Sequence, residues 1–265
     1  MSWRLFIHFS HLPLVQKVLY SGALCVLGLG YAFAMIYVFA NHHGRDGENM
    51  LTVDDIVIAY SGSKSGTILE SALKGPMSNM LSAEENLKIT NWVRSGISEE
   101  SYENEMKSIF DKRCVTCHNK RNPHLPELED YAGIEHVSEE DHGTDLFTLV
   151  RVSHIHLFGL TFIFFIVGSI FCHAYLKHEW VKITIIGVPF VSIFLDISAW
   201  YITKIFEPFA WVVIISGAAM GSCFAIMFTI SMYQMWLYKL PPDAEQEKKN
   251  LIGEDEEKLS DRPNI

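Results

Sequence analysis

Four long apolar runs fix most of what this 265-residue chain can fold into. Val18 to Ala40 carries no charge. Leu149 to Leu176 carries only Arg151, His154, His156 and His173 as basic groups. Ile183 to Ile205 contains Asp196 and Lys204, and Phe209 to Tyr238 is uncharged. Each run exceeds the roughly 20 residues that a helix needs to cross a bilayer. The backbone must bond to itself inside a membrane, so each is expected to be helical. The expected fold is mainly α, with transmembrane helices over 18–40, 149–176, 183–205 and 209–238. Residues 1–17 form a leading segment, 41–147 a domain inserted between the first two helices, and 239–265 a disordered tail that opens on Pro241-Pro242. The first run is too long for a signal-peptide core and no small-x-small site follows it, so a retained anchor is expected.

Basic residues set the orientation. Arg4 and Lys17 precede the first helix, Lys177 and Lys182 flank the turn between the second and third, and Lys239 follows the fourth. All fall on one face if both termini are cytoplasmic, and 41–147 then lies outside. Arg151 and Lys204 count against this arrangement.

Within that outer segment, Cys114-Val115-Thr116-Cys117-His118 spells C-x-x-C-H, the pattern of c-type haem attachment. Two thiols add across the haem vinyl groups, and the adjacent histidine binds the iron from the proximal side. A zinc knuckle would need two more ligands at suitable spacing, and no second C-x-x-C or C-x-x-H exists in the sequence. A redox C-x-x-C would want a βαβ context, also missing. One covalent haem c is therefore the expected cofactor. Its attachment chemistry belongs outside the bacterial cytoplasm, in agreement with the orientation from basic residues. Cys25, Cys172 and Cys223 sit in apolar runs and read as small packed hydrophobes.

The segment from Asn41 to Phe147 holds 20 Asp and Glu against 10 Lys and Arg. That balance excludes nucleic acid as a partner. It suits a basic redox partner such as a soluble cytochrome, and equally suits plain solubility. Lipid and other integral membrane subunits are further expected partners.

The sequence around the motif resembles c-type cytochrome domains. Glu99 to Cys117 reads as a helix ending at the haem site, with Met106, Ile109 and Phe110 on one face and Ser101 as its cap. Ahead of it, Gly75-Pro76-Met77 leads through Met80-Leu81-Ser82-Ala83-Glu84-Glu85 into an amphipathic segment with Leu87, Ile89, Trp92 and Val93. This resembles the end of a cytochrome c domain, where a methionine ligand precedes L-S-x-E-E and a closing helix. In that family the closing helix comes last; here it comes first. The resemblance, over about residues 65–135, implies a circularly permuted cytochrome c domain with His118 as proximal ligand and Met77 as distal ligand. Met80 is the alternative, and His124, His136 and His142 follow the motif as further histidines. Asp54 to Gly66 is expected to be a strand or extended arm, from its β-branched run.

The membrane runs also hold ionisable groups. Arg151, His154, His156 and Asp196 form a candidate polar cluster, since a charge inside the bilayer calls for a partner. His154 and His156 lie about 200° apart around a helix, so they do not share a face. The third and fourth runs contain no histidine, so a second, b-type haem is not expected. Together these features predict a membrane-bound c-type cytochrome. It would carry one electron at a time at the periplasmic face of an inner-membrane redox chain, as a subunit of a larger complex. Two alternatives remain at this level: a quinol-oxidising or other catalytic subunit using the membrane His/Asp cluster, and a haem-based sensor.

Overall fold

The computed structural model describes residues 7–48, 50–63, 66–123, 125–239 and 241. Arg4, His124 and nearly all of the expected tail lie outside these residues. The chain is mainly helical, with no strand among the described residues. Four helices are long and apolar enough to cross a membrane: α1 (Leu14–His42), α8 (Leu146–Phe171), α9 (Glu179–Thr203) and α10 (Ala210–Trp236). Each contains the greater part of its expected run. α9 continues through Pro189.

Between α1 and α8 lie α2 (Val53–Ser61), α3 (Ile68–Lys74), α4 (Ala83–Arg94), α5 (Glu99–Ser101), α6 (Lys107–Arg113) and α7 (Tyr131–Val137). A π-helical turn over Tyr102–Met106 joins α5 to α6.

The chain divides into two compact units. The first comprises Met1–Ala32, His154–Asp196 and Ile215–Ile265. Its core is made by Leu24 of α1, Phe164 and Phe171 of α8, Ile193 of α9, and Phe224 and Met227 of α10. Small residues let the helices approach closely. A Cβ at Gly28 would lie 3.2 Å from the Phe228 ring, and one at Gly221 would lie 3.4 Å from the Tyr31 hydroxyl. The Tyr31 ring stacks on Phe224 at 4.6 Å. Gly217, the other end of the Gly217-x-x-x-Gly221 pattern, has nothing within 4 Å of that position.

The start of the described chain belongs to this unit. Phe9 and His8 are fully buried. The His8 Nδ1 accepts the Ser10 N–H at 3.1 Å, so Nε2 carries the proton and donates to Gln234 Oε1 at 3.1 Å. Gln234 also pairs with both backbone groups of Tyr175, accepting its N–H at 2.7 Å and donating to its carbonyl at 2.8 Å. Burial lowers the His8 pKa, which keeps the ring neutral in this network.

The second unit comprises Phe33–Ser153 and Ile197–Ile214. Its short helices are defined by side-chain caps. Thr52, Thr67 and Ser82 each form a capping box with the acid three residues on, Asp55, Glu70 and Glu85. The expected extended arm over Asp54–Gly66 is therefore wrong for most of its length. Thr52 and Asp55 close a helical turn, and Asp54 and Asp55 both favour a helix N-terminus. These signals outweigh the β-branched Ile56-Val57-Ile58. Chain reversal comes at Gly62 (φ 85°), where a Cβ would collide with the Asp141 carbonyl. Lys64 and Ser65 of the expected arm lie outside the described residues.

One more expectation changes. The cap of the helix before the haem motif is Ser98 rather than Ser101, its hydroxyl accepting the Ser101 N–H at 3.5 Å. Trp200, near the end of α9, is buried and stacks on Tyr60 at 5.9 Å.

Lys204 also loses its role as a free outer charge. Its ammonium donates to the carbonyls of Tyr60 at 2.8 Å, His142 at 3.0 Å and Thr144 at 2.7 Å. Beside it, Ser61 Oγ donates to the Thr203 carbonyl at 2.7 Å, and Thr144 returns two hydrogen bonds to Ala59 O. The inserted domain and the last residues of α9 thus share one bonded junction.

Candidate functional site

The C-x-x-C-H motif follows α6 directly. The Cys114 N–H bonds Phe110 O at 2.8 Å, and the His118 N–H bonds Cys114 O at 2.8 Å, so the motif winds on as a tight turn. Cys117 is exposed and Cys114 half-buried. Burial pushes the Cys114 thiol up to about 11, with the Glu85 carboxylate reinforcing it. The thiol is therefore protonated at neutral pH. A redox C-x-x-C motif runs the other way, with a lowered thiol pKa.

His118 is oriented by the loop that follows. Its Nδ1 lies 3.0 Å from the Pro126 carbonyl, and the Leu128 N–H returns to His118 O at 3.1 Å. A carbonyl can only accept, so Nδ1 is the donor and the neutral ring presents the Nε2 lone pair. A backbone carbonyl fixing one nitrogen while the other serves a metal is the usual arrangement for ligating histidine.

The helical segment behind the motif packs on α4. Trp92 meets Phe110 edge-on at 6.3 Å and Tyr102 at 6.1 Å. Met106 and Phe110 are buried and Ile109 half-buried against the same core. Leu87, expected to join this surface, is 61% exposed and lines an open cleft of about 420 Å³ with Leu81 and Thr90. The turn between α4 and the next helix is held by Trp92 Nε1 donating to Ser98 O at 3.2 Å and Tyr131 Oη donating to Ile97 O at 2.6 Å.

The methionine loop meets the same core. Met77 is half-buried against it with Leu81 and Cys114, whereas Met80 is 59% exposed. Arg113, next to Cys114, donates to Glu85 Oε1 at 3.1 Å, tying the motif helix to the first turn of α4. The Ser82 backbone N–H and Arg113 together hold the Glu85 carboxyl down at about 2. Met77 and Cys114 thus border the same apolar core, and Arg113 ties the motif's helix to the start of α4.

The residues present fit a c-type haem: two thiols beside an exposed turn, a histidine with its Nε2 free, and a thioether on the adjoining core. What sequence reasoning missed is the Pro126 carbonyl, whose only signal is a proline eight residues after the histidine.

The membrane groups fall differently. Arg151, His154 and His156 are exposed on α8, and the His154 ring meets Phe158 edge-on at 5.1 Å. Asp196 of α9 is 7% exposed. Among the four, only Asp196 is buried.

Residues 129–242 match a family described as a transmembrane helical domain. The matched stretch takes in α8, α9 and α10. This is a multi-pass membrane protein. The match spans fewer than half of the residues and begins after the C-x-x-C-H motif. No curated protein and no solved structure matches the chain.

Proposed function

We propose that this protein is a membrane-bound c-type cytochrome that passes single electrons at the outer face of a bacterial inner membrane. The observation that carries the proposal is the His118 ring, held through Nδ1 by the Pro126 carbonyl directly after Cys114 and Cys117. When bound, haem supplies an iron that cycles between ferric and ferrous states. The protein's part is attachment, ligation and insulation. Cys114 and Cys117 would form the two thioether links. His118 would hold the iron through Nε2, with its hydrogen bond to the Pro126 carbonyl raising the basicity of the ring. Met77 would be the second residue to hold the iron. It lies half-buried on the core, whereas the more exposed Met80 does not. A thioether ligand raises the potential relative to a second histidine.

The packing of α4 on the helical segment before the motif supports a cytochrome c-like domain inserted between the first two membrane helices. Chain order there is that of a circular permutation. The haem chemistry supports an outer, periplasmic location for this domain, which leaves both termini cytoplasmic. The domain's acidic balance favours a basic redox partner, and four spans favour docking within a larger membrane complex.

The test is optical. Purified full-length protein should give a low-spin c-type spectrum with one haem per chain in pyridine, and no shift of the reduced spectrum by carbon monoxide. Replacing Cys114 and Cys117 by alanine should abolish covalent haem. A chain that matures in the periplasm with no haem would sink the proposal. Haem with electron flux unchanged in the cysteine variant would remove the electron-transfer role.

A further inference from the structure

The segment joining α1 to α2 is built with unusual order for a linker. The Asp55 carboxylate is fully buried and accepts three backbone N–H groups: Gly44 at 3.3 Å, Asp46 at 3.1 Å and Thr52 at 3.0 Å. Asp46 in turn accepts the Thr52 hydroxyl at 2.6 Å and the Glu48 N–H at 2.8 Å. Arg45 folds back on the membrane helix, donating from Nε at 3.3 Å and Nη2 at 3.1 Å to the Asn41 carbonyl. The described residues leaving the first span form a hydrogen-bonded knuckle.

That knuckle touches the methionine loop. Gly75, two residues before Met77, is buried. A Cβ added there would lie 3.1 Å from Arg45 Cγ and 3.4 Å from Arg45 Cα. A Cβ at Gly44 would lie 3.8 Å from the Gly75 Cα. Beyond Gly75 the loop is short and bonded to itself. The Met77 N–H reaches Ala72 O at 2.9 Å, Ser78 N–H reaches Gly75 O at 3.0 Å, and Met80 N–H reaches Met77 O at 3.0 Å. A displacement at Gly75 therefore moves Met77 rather than being absorbed on the way.

We infer that Arg45, three residues beyond the end of the first membrane helix, is a positioning residue for the distal ligand: its side chain against Gly75 sets where Met77 sits. This rests on the haem reading above. It makes the first span part of the haem site's support as well as an anchor. Packed contacts of this kind tolerate added methyl groups poorly, because the neighbour must give way.

The experiment uses the full chain in detergent and reads the methionine–iron charge-transfer absorption of the ferric protein, its midpoint potential, and carbon monoxide binding to the reduced haem. Gly75→Ala should keep its haem content, lose roughly half or more of the charge-transfer absorption, and become partly open to carbon monoxide. Its potential should fall, since the methionine ligand is what holds it up. Arg45→Ala alone should speed amide exchange at Met77, Ser78 and Met80. Gly75→Ala combined with Arg45→Ala should recover the absorption, because the new methyl group occupies the space the arginine stem leaves. An unaltered spectrum in Gly75→Ala overturns the inference, as does a loss the second substitution does not relieve. Should Gly75→Ala fail to fold, unchanged exchange and spectrum in Arg45→Ala overturn it alone. A wild-type protein with haem but no methionine absorption refutes this inference and leaves the c-type reading standing. A wild-type protein with no haem refutes both, and the two failures are told apart by the pyridine spectrum.

Discussion

The two compact units are made stable by different means. In the unit formed largely by the long helices, apolar composition does the specifying, and rings and glycines set how closely helices pack. In the unit containing the inserted domain, helices of 7 to 12 residues are too short to persist on propensity alone. There the specifying groups are polar side chains at helix ends and turns, from the buried Asp55 and Glu70 to the exposed Ser82 and Asp130: Thr52 with Asp55, Thr67 with Glu70, Ser82 with Glu85, and Asp130. A span thus tolerates many sequences of the right hydropathy, whereas the inserted domain depends on single atoms.

That contrast predicts where substitutions hurt. The largest effect should come from Asp55→Ala, which strands three backbone N–H groups in a buried turn. The expected loss is about 3 kcal/mol, read as faster amide exchange over residues 44–61 while the spans keep their protection. Uniform loss across spans and domain would break the comparison. Lys204→Met should cost about 2 kcal/mol, by leaving three carbonyls without their shared donor. Limited proteolysis within 139–145 is the measurement, and undiminished resistance there would show the junction to be dispensable.

A smaller step should follow acidification. Burial alone would raise the Glu70 carboxyl, but Arg94 and the Thr67 N–H outweigh it and lower its pKa, while Glu85 is held at about 2. A carboxylate with a lowered folded pKa contributes stability above its unfolded value, about 4.3. That contribution is lost as the pH falls through the folded value. The inserted domain should therefore melt earlier between about pH 4.3 and 2, with the Glu70→Gln, Glu85→Gln protein losing most of this dependence. The smallest effect belongs to a span. Ser21→Ala removes one hydroxyl that joins α1 to α10 in the first unit, donating to Met235 Sδ at 3.3 Å and accepting from Trp236 Nε1 at 2.8 Å, and should cost about 0.6 kcal/mol. A larger loss by thermal unfolding in detergent would mean that polar atoms specify the spans as well.

The same contrast explains what could be read from sequence. The four spans are legible because twenty apolar residues in a row have few other uses. The Ser82–Glu85 box is legible because it is local and followed by an amphipathic repeat. Thr52–Asp55 is the same motif, yet Ile56-Val57-Ile58 drew it toward a strand. Ser98 and Ser101 compete as caps because acidic residues follow both. The C-x-x-C-H pattern is written in five adjacent letters. The Pro126 carbonyl that orients His118 and the carbonyls that hold Lys204 are not legible, since backbone atoms carry no sequence signature and the Lys204 partners lie 60 to 144 positions away.

The buried His8 has a consequence in time. Its Nε2–H is answered by Gln234, 226 positions later in the chain, and Gln234 also holds Tyr175. Ribosomes add roughly 5–20 residues per second, so His8 waits about 10–45 s for its partner to be made. The segment around His8 is thus among the later parts to settle. The fourth span must be in place before that segment can close over its ring.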